Sequence, residues 1–251
     1  MRNIQGEGQT VVLLHGVGRT AGAWKNLLKE LEHEPYQVAT FDLLGHGNSP
    51  KPQWPDYNVD DHAKAVIKSI ITAKLSTPVI LVGHSMGCLI ALRVARLRPD
   101  LVKHLILYEM PLFKGLPNKR VYRLRLNFYY RLYKMALEHQ PSFESVSTPM
   151  KERIAKTFFK LEIDKDGWEP FIKSLEHTIF EQTAPEDIKK VSTPMDVIYG
   201  NYDMLVIKGS VQYAIESGND IINQSSVRAG HRITKRASVL IHDRIKAALK
   251  S

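Results

Sequence analysis

Hydrophobic residues fall into short, nearly continuous runs, separated by longer stretches in which they recur every three or four positions. The clear runs are Val11–Leu14, Val38–Phe41, Val79–Val82, Leu105–Tyr108 and Met195–Tyr199, with a weaker one at Ile221–Val227. A short apolar run without polar alternation predicts a strand buried on both faces. Helical spacing fills the gaps. Leu27, Leu28 and Leu31 share a face within Ala21–Glu32, and Ala63, Ile67 and Ile70 share one in a helix that Asp60 or Asp61 caps and that runs to Lys74. Further helices are expected over Cys88–Arg98, ending near Pro99, over Lys208–Glu216, and from Arg232 to Leu249, where Ile241, Ile245 and Leu249 are spaced by four. Buried strands alternating with helices predict an α/β fold. It would have a mostly parallel central sheet, helices on both faces and right-handed crossovers.

One region breaks the alternation. From Leu112 to Pro185 no strand pattern occurs, and three helices are expected instead: Lys119–His139, Thr148–Leu161 and Gly167–Gln182. Strands resume at Met195, so the segment is a helical cap inserted between two strands. The predicted organisation is a core of residues 1–111 and 186–251 and a cap of residues 112–185, with hinges near Phe113 and Pro185. Such an insertion stands above the C-terminal edge of the sheet, where open α/β sheets bind ligands.

Composition narrows the class. The 251 residues are 43 % hydrophobic, enough for one large α/β core. The single cysteine, Cys88, excludes an intramolecular disulfide and reads as a small buried residue. No apolar run approaches a membrane span, and residues 1–8 lack a signal-peptide core, so a cytoplasmic protein without stable membrane insertion is expected. The net charge of +9 is spread along the chain, with a local excess at Lys119–Lys134. No zinc-finger spacing or RNA-binding aromatic signature accompanies it, so a nucleic-acid partner is not expected. The expected partner is a small-molecule substrate, and the chain itself is expected to be a monomer or homodimer.

The chemistry concentrates at Gly83-His84-Ser85-Met86-Gly87, between a buried strand and a helix. Glycines flanking a serine there permit a turn too tight for side chains, leaving the hydroxyl at its tip. A plain glycine-rich turn is the bland alternative. A serine nucleophile needs a base, and the base needs an orienting carboxylate. His231 follows a strand and a glycine at the same sheet edge and is the expected base. Asp203 lies just past Met195–Tyr199 and is the expected carboxylate. Glu109, at the end of Leu105–Tyr108, is its rival, whereas Asp196 starts its strand at the wrong edge. His84 reads as structural, its side chain turned away from the hydroxyl, and His46 as exposed in a glycine turn. The amides of Met86 and Val17 are the expected oxyanion donors, with Gly16 and Gly18 freeing the backbone around Val17. Gly16 and Arg19 are candidate substrate contacts. An anionic substrate for Arg19 competes with a simple solvated surface.

These stretches resemble the α/β-hydrolase superfamily from residue 11 onward. The match rests on Leu13-Leu14-His15-Gly16, the turn Asp42-Leu43-Leu44-Gly45-His46-Gly47-Asn48-Ser49, the serine turn, Tyr199-Gly200-Asn201-Tyr202-Asp203, and Gly230-His231, in the family's order. The resemblance is to the capped serine-hydrolase type, similar to carboxylesterases and lipases. It implies Ser85, Asp203 and His231 as a triad, a structural role for the turn that begins at Asp42, no metal and no cofactor. Expected reactions are hydrolysis of a carboxylic ester or thioester. Alternatives are C–C bond hydrolysis of the meta-cleavage type, cofactor-free haloperoxidation, or a non-catalytic ligand receptor. His84 and the short glycine loop after His15 depart from the C–C hydrolases. The antiparallel first strands of larger members are expected to be short or absent.

Overall fold

A computed structural model describes residues 2–112, 161–203, 205, 206, 209, 212, 216 and 222–250. Its centre is a seven-stranded sheet built from β1 (Arg2–Gln5), β2 (Gln9–Leu14), β3 (Tyr36–Phe41), β4 (Val79–His84), β5 (Val102–Tyr108), β6 (Met195–Gly200) and β7 (Ile222–Val227), in the order β1-β3-β2-β4-β5-β6-β7. Only β1 runs antiparallel, pairing Arg2–Gln5 with Val38–Phe41; the antiparallel first strands, expected to be short or absent, are represented among the described residues by this one short strand. All other neighbours are parallel.

The nearly continuous apolar runs follow from burial of both faces. Successive side chains of a strand point to opposite sides. Val12, Leu14, Leu81, Leu105 and Leu107 therefore pack with Ile70 of α2 (Val59–Thr72), Leu89 of α3 (Met86–Leu97) and Ile188 of a later helix. Val11, Leu13, Ile80, Val82 and Ile106 face the other way, against Leu27 and Leu31 of α1 (Lys25–Leu31) and Ile241 and Ile245 of the C-terminal helix. A polar residue at either set of positions would be buried, so neither face could carry the alternation of a half-exposed strand.

Several local expectations are corrected. The cap of α2 is Asn58, whose side chain accepts from the amides of Asp60 and Asp61. The two aspartates lie two and three residues on, within the first turn, where their charge meets the helix N-terminus. The expected helix Gly167–Gln182 is interrupted. After α4 (Trp168–Lys173) the backbone widens into a π-helical turn over Ser174–Phe180, marked by Glu181 N–H donating to Glu176 O at 3.0 Å. The widening lets Ser174 meet His62 and Thr178 meet the Tyr57 carbonyl, both buried polar contacts. α5 (Ala184–Lys190) then leads back to β6, and α6 (Lys235–Lys250) closes the chain. The expected helices Lys119–His139 and Thr148–Leu161 lie almost wholly outside the described residues, as does most of Lys208–Glu216. The described part of the insertion between β5 and β6 is helical, as a cap requires.

Candidate active site

The strand order reverses beside β2: the chain goes first to β3 on one side, then to β4 on the other. The loops after β2 and β4 therefore diverge and leave a crevice at the C-terminal edge. Ser85, Glu109, Asp203 and His231 all emerge from that edge, since register aligns Gly83 with Leu14, His84 with Tyr108, Tyr108 with Ile198, and Gly200 with Val227.

Ser85 occupies the tip of a strained turn, at φ 53° and ψ −121°. A non-glycine residue at positive φ persists only where its surroundings enforce it. Here the enforcement is packing. A Cβ on Gly83 would lie 2.6 Å from the Gly87 carbonyl oxygen, and one on Gly87 would lie 2.3 Å from that of Leu14. Both glycines let α3 start directly against β2 and β4. The first amides of α3, that of Met86 included, then have no intrahelical acceptor and face the crevice end of the helix dipole.

The loop after β2 touches the elbow. A Cβ on Gly16 would lie 3.1 Å from that of Ser85. His15, fully buried, fixes this loop: its Nδ1–H donates to the Gly16 carbonyl at 2.8 Å, and its Nε2 accepts from Leu43 N–H at 2.9 Å. The Arg19 amide also donates to Gly16 O at 3.3 Å. In a trans peptide the carbonyl and the following N–H point oppositely, so pinning Gly16 O fixes the direction of the Val17 N–H. Burial, with like-charge repulsion from His46, lowers the His15 pKa to about 3, so the ring stays neutral and able to accept. Arg19 pairs with Glu162 at 3.1 Å, and Glu162 N–H donates to Gly18 O at 2.7 Å. The returning insertion is thus fastened over the loop.

His46 is buried, not exposed as expected. The turn from Asp42 to Ser49 folds inward, because Asp42 accepts from the amides of Ala21 and Asn48, and because Pro170 and Tyr57 cover Gly45. His46 packs between His15 and His62, with ring centroids at 5.5 and 6.1 Å. The structural role expected for this turn fits that packing.

At the far end of the crevice, Asp203 and His231 come together. The His231 Nδ1–H donates to Asp203 Oδ2 at 2.7 Å, and Leu205 N–H donates to Asp203 Oδ1 at 2.7 Å. Burial opposes ionisation of Asp203, but the hydrogen bond from His231 prevails and its carboxyl is held at about 2. With Nδ1 committed, Nε2 is the imidazole atom left for proton transfer. The main chain of this loop is held with equal care. His84 Nε2–H donates to the His231 carbonyl at 2.7 Å, and the Tyr108 hydroxyl lies 3.0 and 3.1 Å from the Gly230 and Arg232 carbonyls. The residue directly before Ser85 therefore grips the residue expected to serve it as base. His84 is structural, as expected, but what it supports is the His231 loop.

Sequence reasoning misses Tyr108 and Glu109 as positioning groups. The Tyr108 signal was a phenol at the end of a buried strand next to the elbow strand. Its partners lie more than a hundred residues away, so sequence spacing gave no hint of them. Among the described residues, Glu109, Asp203 and His231 also offer three metal-capable atoms within 4.8 Å of one another. Metal ligands must be deprotonated. Burial pushes the Glu109 carboxyl up to about 10, so at neutral pH this trio is suited to hydrogen bonding among its members.

Comparisons with known proteins agree with this fold. The family of the alpha/beta hydrolase fold matches residues 9–229. The chain is 32 % identical over 129 residues to a probable lysophospholipase, BODYGUARD 4, of Arabidopsis thaliana, covering 49 % of this chain and 31 % of that protein. It is 44 % identical over 101 residues to (E)-2-((N-methylformamido)methylene)succinate hydrolase of Acinetobacter baylyi, covering 40 % of this chain and 37 % of that one. The matches thus span about a third of the length of these curated relatives. An esterase from Exiguobacterium antarcticum superposes with a TM-score of 0.77 at 20 % identity, covering 100 % of this chain and 95 % of the other. An enol-lactonase from Burkholderia xenovorans superposes at 0.72 with 18 % identity, covering 100 % and 96 %. With the sheet order, the strained serine turn and the family match over most of its length in accord, the chain belongs to the α/β-hydrolase fold family.

Proposed function

We propose that the chain is a serine hydrolase that cleaves a carboxylic ester or thioester of a small molecule. The observation that carries this reading is the 2.7 Å bond from His231 Nδ1 to Asp203, on a loop clamped by the residue preceding Ser85. In the proposed cycle, His231 Nε2 takes the Ser85 hydroxyl proton as Oγ attacks the carbonyl carbon. The Val17 and Met86 amides stabilise the oxyanion, each donor contributing about 3–4 kcal/mol. The tetrahedral adduct collapses, and His231 gives its proton to the departing alkoxide or thiolate. Water then repeats the sequence, releasing the acid and restoring Ser85. Asp203 holds the imidazole tautomer throughout and keeps its charge. Residues 112–185 are taken as the cap and residues 1–111 with 186–251 as the core. Gly16 lets substrate approach the elbow. Arg19 borders the site, but its charge already meets Glu162, which favours a neutral acyl group over an anionic one.

Relatives named as lysophospholipase and esterase favour an ester carbonyl over a C–C bond. The test uses a short p-nitrophenyl ester. Ser85→Ala is expected to lower kcat by about 10⁴-fold or more, with an unchanged unfolding midpoint. Undiminished turnover by that variant would refute the nucleophile. A fluorophosphonate probe that leaves the native protein unlabelled would favour a ligand receptor.

A further inference from the structure

Glu109 is fully buried at the C-terminal end of β5, in the positive-φ region at 57°, which a glutamate adopts only under constraint. The constraint is visible. Its N–H donates to Ile198 O at 2.9 Å, and its Oε1 accepts from Gly200 N–H at 2.6 Å. The seat requires a glycine opposite, since a Cβ on Gly200 would lie 2.4 Å from that same oxygen. The second oxygen, Oε2, is buried and receives no donor. A buried carboxylate oxygen without a donor is costly, whereas a carboxylic acid at that position has a proton to give. The carboxylate beside it is Asp203, and both lie within 4.8 Å of the His231 ring nitrogen.

We propose that Glu109 is a positioning residue whose carboxyl group donates a hydrogen bond to the Asp203 carboxylate and so fixes the acceptor that orients His231. The inference rests on the proposed triad and deepens it. Two carboxyl groups this close cannot both ionise cheaply, so one proton is retained between them. The environments decide which keeps it. Asp203 receives donors from His231 and Leu205, whereas Glu109 receives the Gly200 amide on one oxygen and no donor on the other. Burial raises Glu109 and the donors lower Asp203, in the direction this assignment needs. Asp203 thereby has its oxygens held from three sides, by the Leu205 amide, the His231 ring and the Glu109 acid. The carboxylate cannot rotate away from Nδ1 as the imidazole becomes charged.

The test compares Glu109→Gln, Glu109→Leu and Asp203→Asn. Glutamine can accept from Gly200 N–H and donate its amide to Asp203; leucine can do neither. Glu109→Leu is expected to lower kcat for a p-nitrophenyl ester about ten- to a hundredfold with KM within about twofold, the scale of a misplaced catalytic group. Glu109→Gln is expected to recover most of that loss, remaining about two- to fivefold below the native protein. Infrared spectra at pH 7 provide a readout that needs neither substrate nor the leucine variant. A carboxylic-acid carbonyl band is expected in the native protein and absent in Glu109→Gln. Full activity of a folded Glu109→Leu, a Glu109→Gln as impaired as Asp203→Asn, or no such band would each overturn the proposal. The band is independent of turnover, so its outcome is separate from the fate of the Ser85 reading, which Ser85→Ala decides.

Discussion

Single residues show where the sequence was legible and where it was not. Gly83 and Gly87 revealed the elbow because the constraint is local: both glycines are needed for the same few ångströms of helix–strand approach. Gly87→Ala is expected to force a methyl group onto the Leu14 and His15 carbonyls, 2.3 and 2.8 Å away, and to destabilise the fold by about 1–3 kcal/mol in chemical denaturation. The meeting of Asp203 with His231 was legible because each follows a strand at a predictable edge. The groups that hold them were not. His84, Tyr108 and Glu109 act through partners on other strands, and a sequence that places them at strand ends says nothing of those partners. Tyr108→Phe tests one such contact. It removes the hydroxyl from the Gly230 and Arg232 carbonyls and is expected to cost about 1–3 kcal/mol, with a fall in kcat larger than any change in KM. A kcat equal to that of the native protein would mean that the His231 loop needs no such support.

At the scale of elements, the inner strands were legible because burial on both faces leaves apolar runs that no amphipathic helix resembles, whereas the edge strands β1 and β7 carry no such run. Helix ends and the insertion were harder. A single residue, Asn58, outcompeted two neighbouring aspartates as cap because its side chain alone reaches both amides. The interruption in Gly167–Gln182 depends on buried partners, His62 and Tyr57, that periodicity cannot register. The return to the sheet depends on charge as well. Asp187 of α5, 1 % exposed, bonds Arg93 at 3.0 Å and Arg96 at 2.5 Å on α3, and Arg93 also reaches Asp60 of α2 at 2.9 Å. Removing Asp187 takes the shared buried carboxylate from both arginines and leaves Arg93 with the half-exposed Asp60. Asp187→Ala is therefore expected to cost about 2–3 kcal/mol by denaturant titration, more than an exposed ion pair such as Arg98–Asp100.

The molecule as a whole carries an unusual load of buried neutral imidazoles. Burial is the first cause in each case: His15 and His84 are lowered to about 3 and His46 to about 4, and His62 moves in the same direction. The unfolded chain binds these protons near pH 6.5, and the folded chain only well below it. Their stabilising contribution is therefore complete above about pH 6.5 and is lost as the pH falls toward the folded values. Each histidine contributes a slope of about 1.4 kcal/mol per pH unit in that window, so three together approach about 4 kcal/mol per unit. Against a typical stability of about 5–15 kcal/mol, acid unfolding is expected between about pH 4 and 5.5. Denaturant midpoints that stay level from pH 7 to 5 would mean that these rings are solvated or already charged.

The central claim, that Ser85 is acylated with His231 as its base, is tested most directly by trapping the covalent intermediate. Rapid mixing with a p-nitrophenyl ester should give a burst of nitrophenolate equivalent to the enzyme present. Acid quenching and tryptic digestion should then show the acyl mass on the peptide Leu75–Arg93, at Ser85, and not in Ser85→Ala. Turnover with no adduct on that peptide, or an adduct that persists in the alanine variant, would contradict the account.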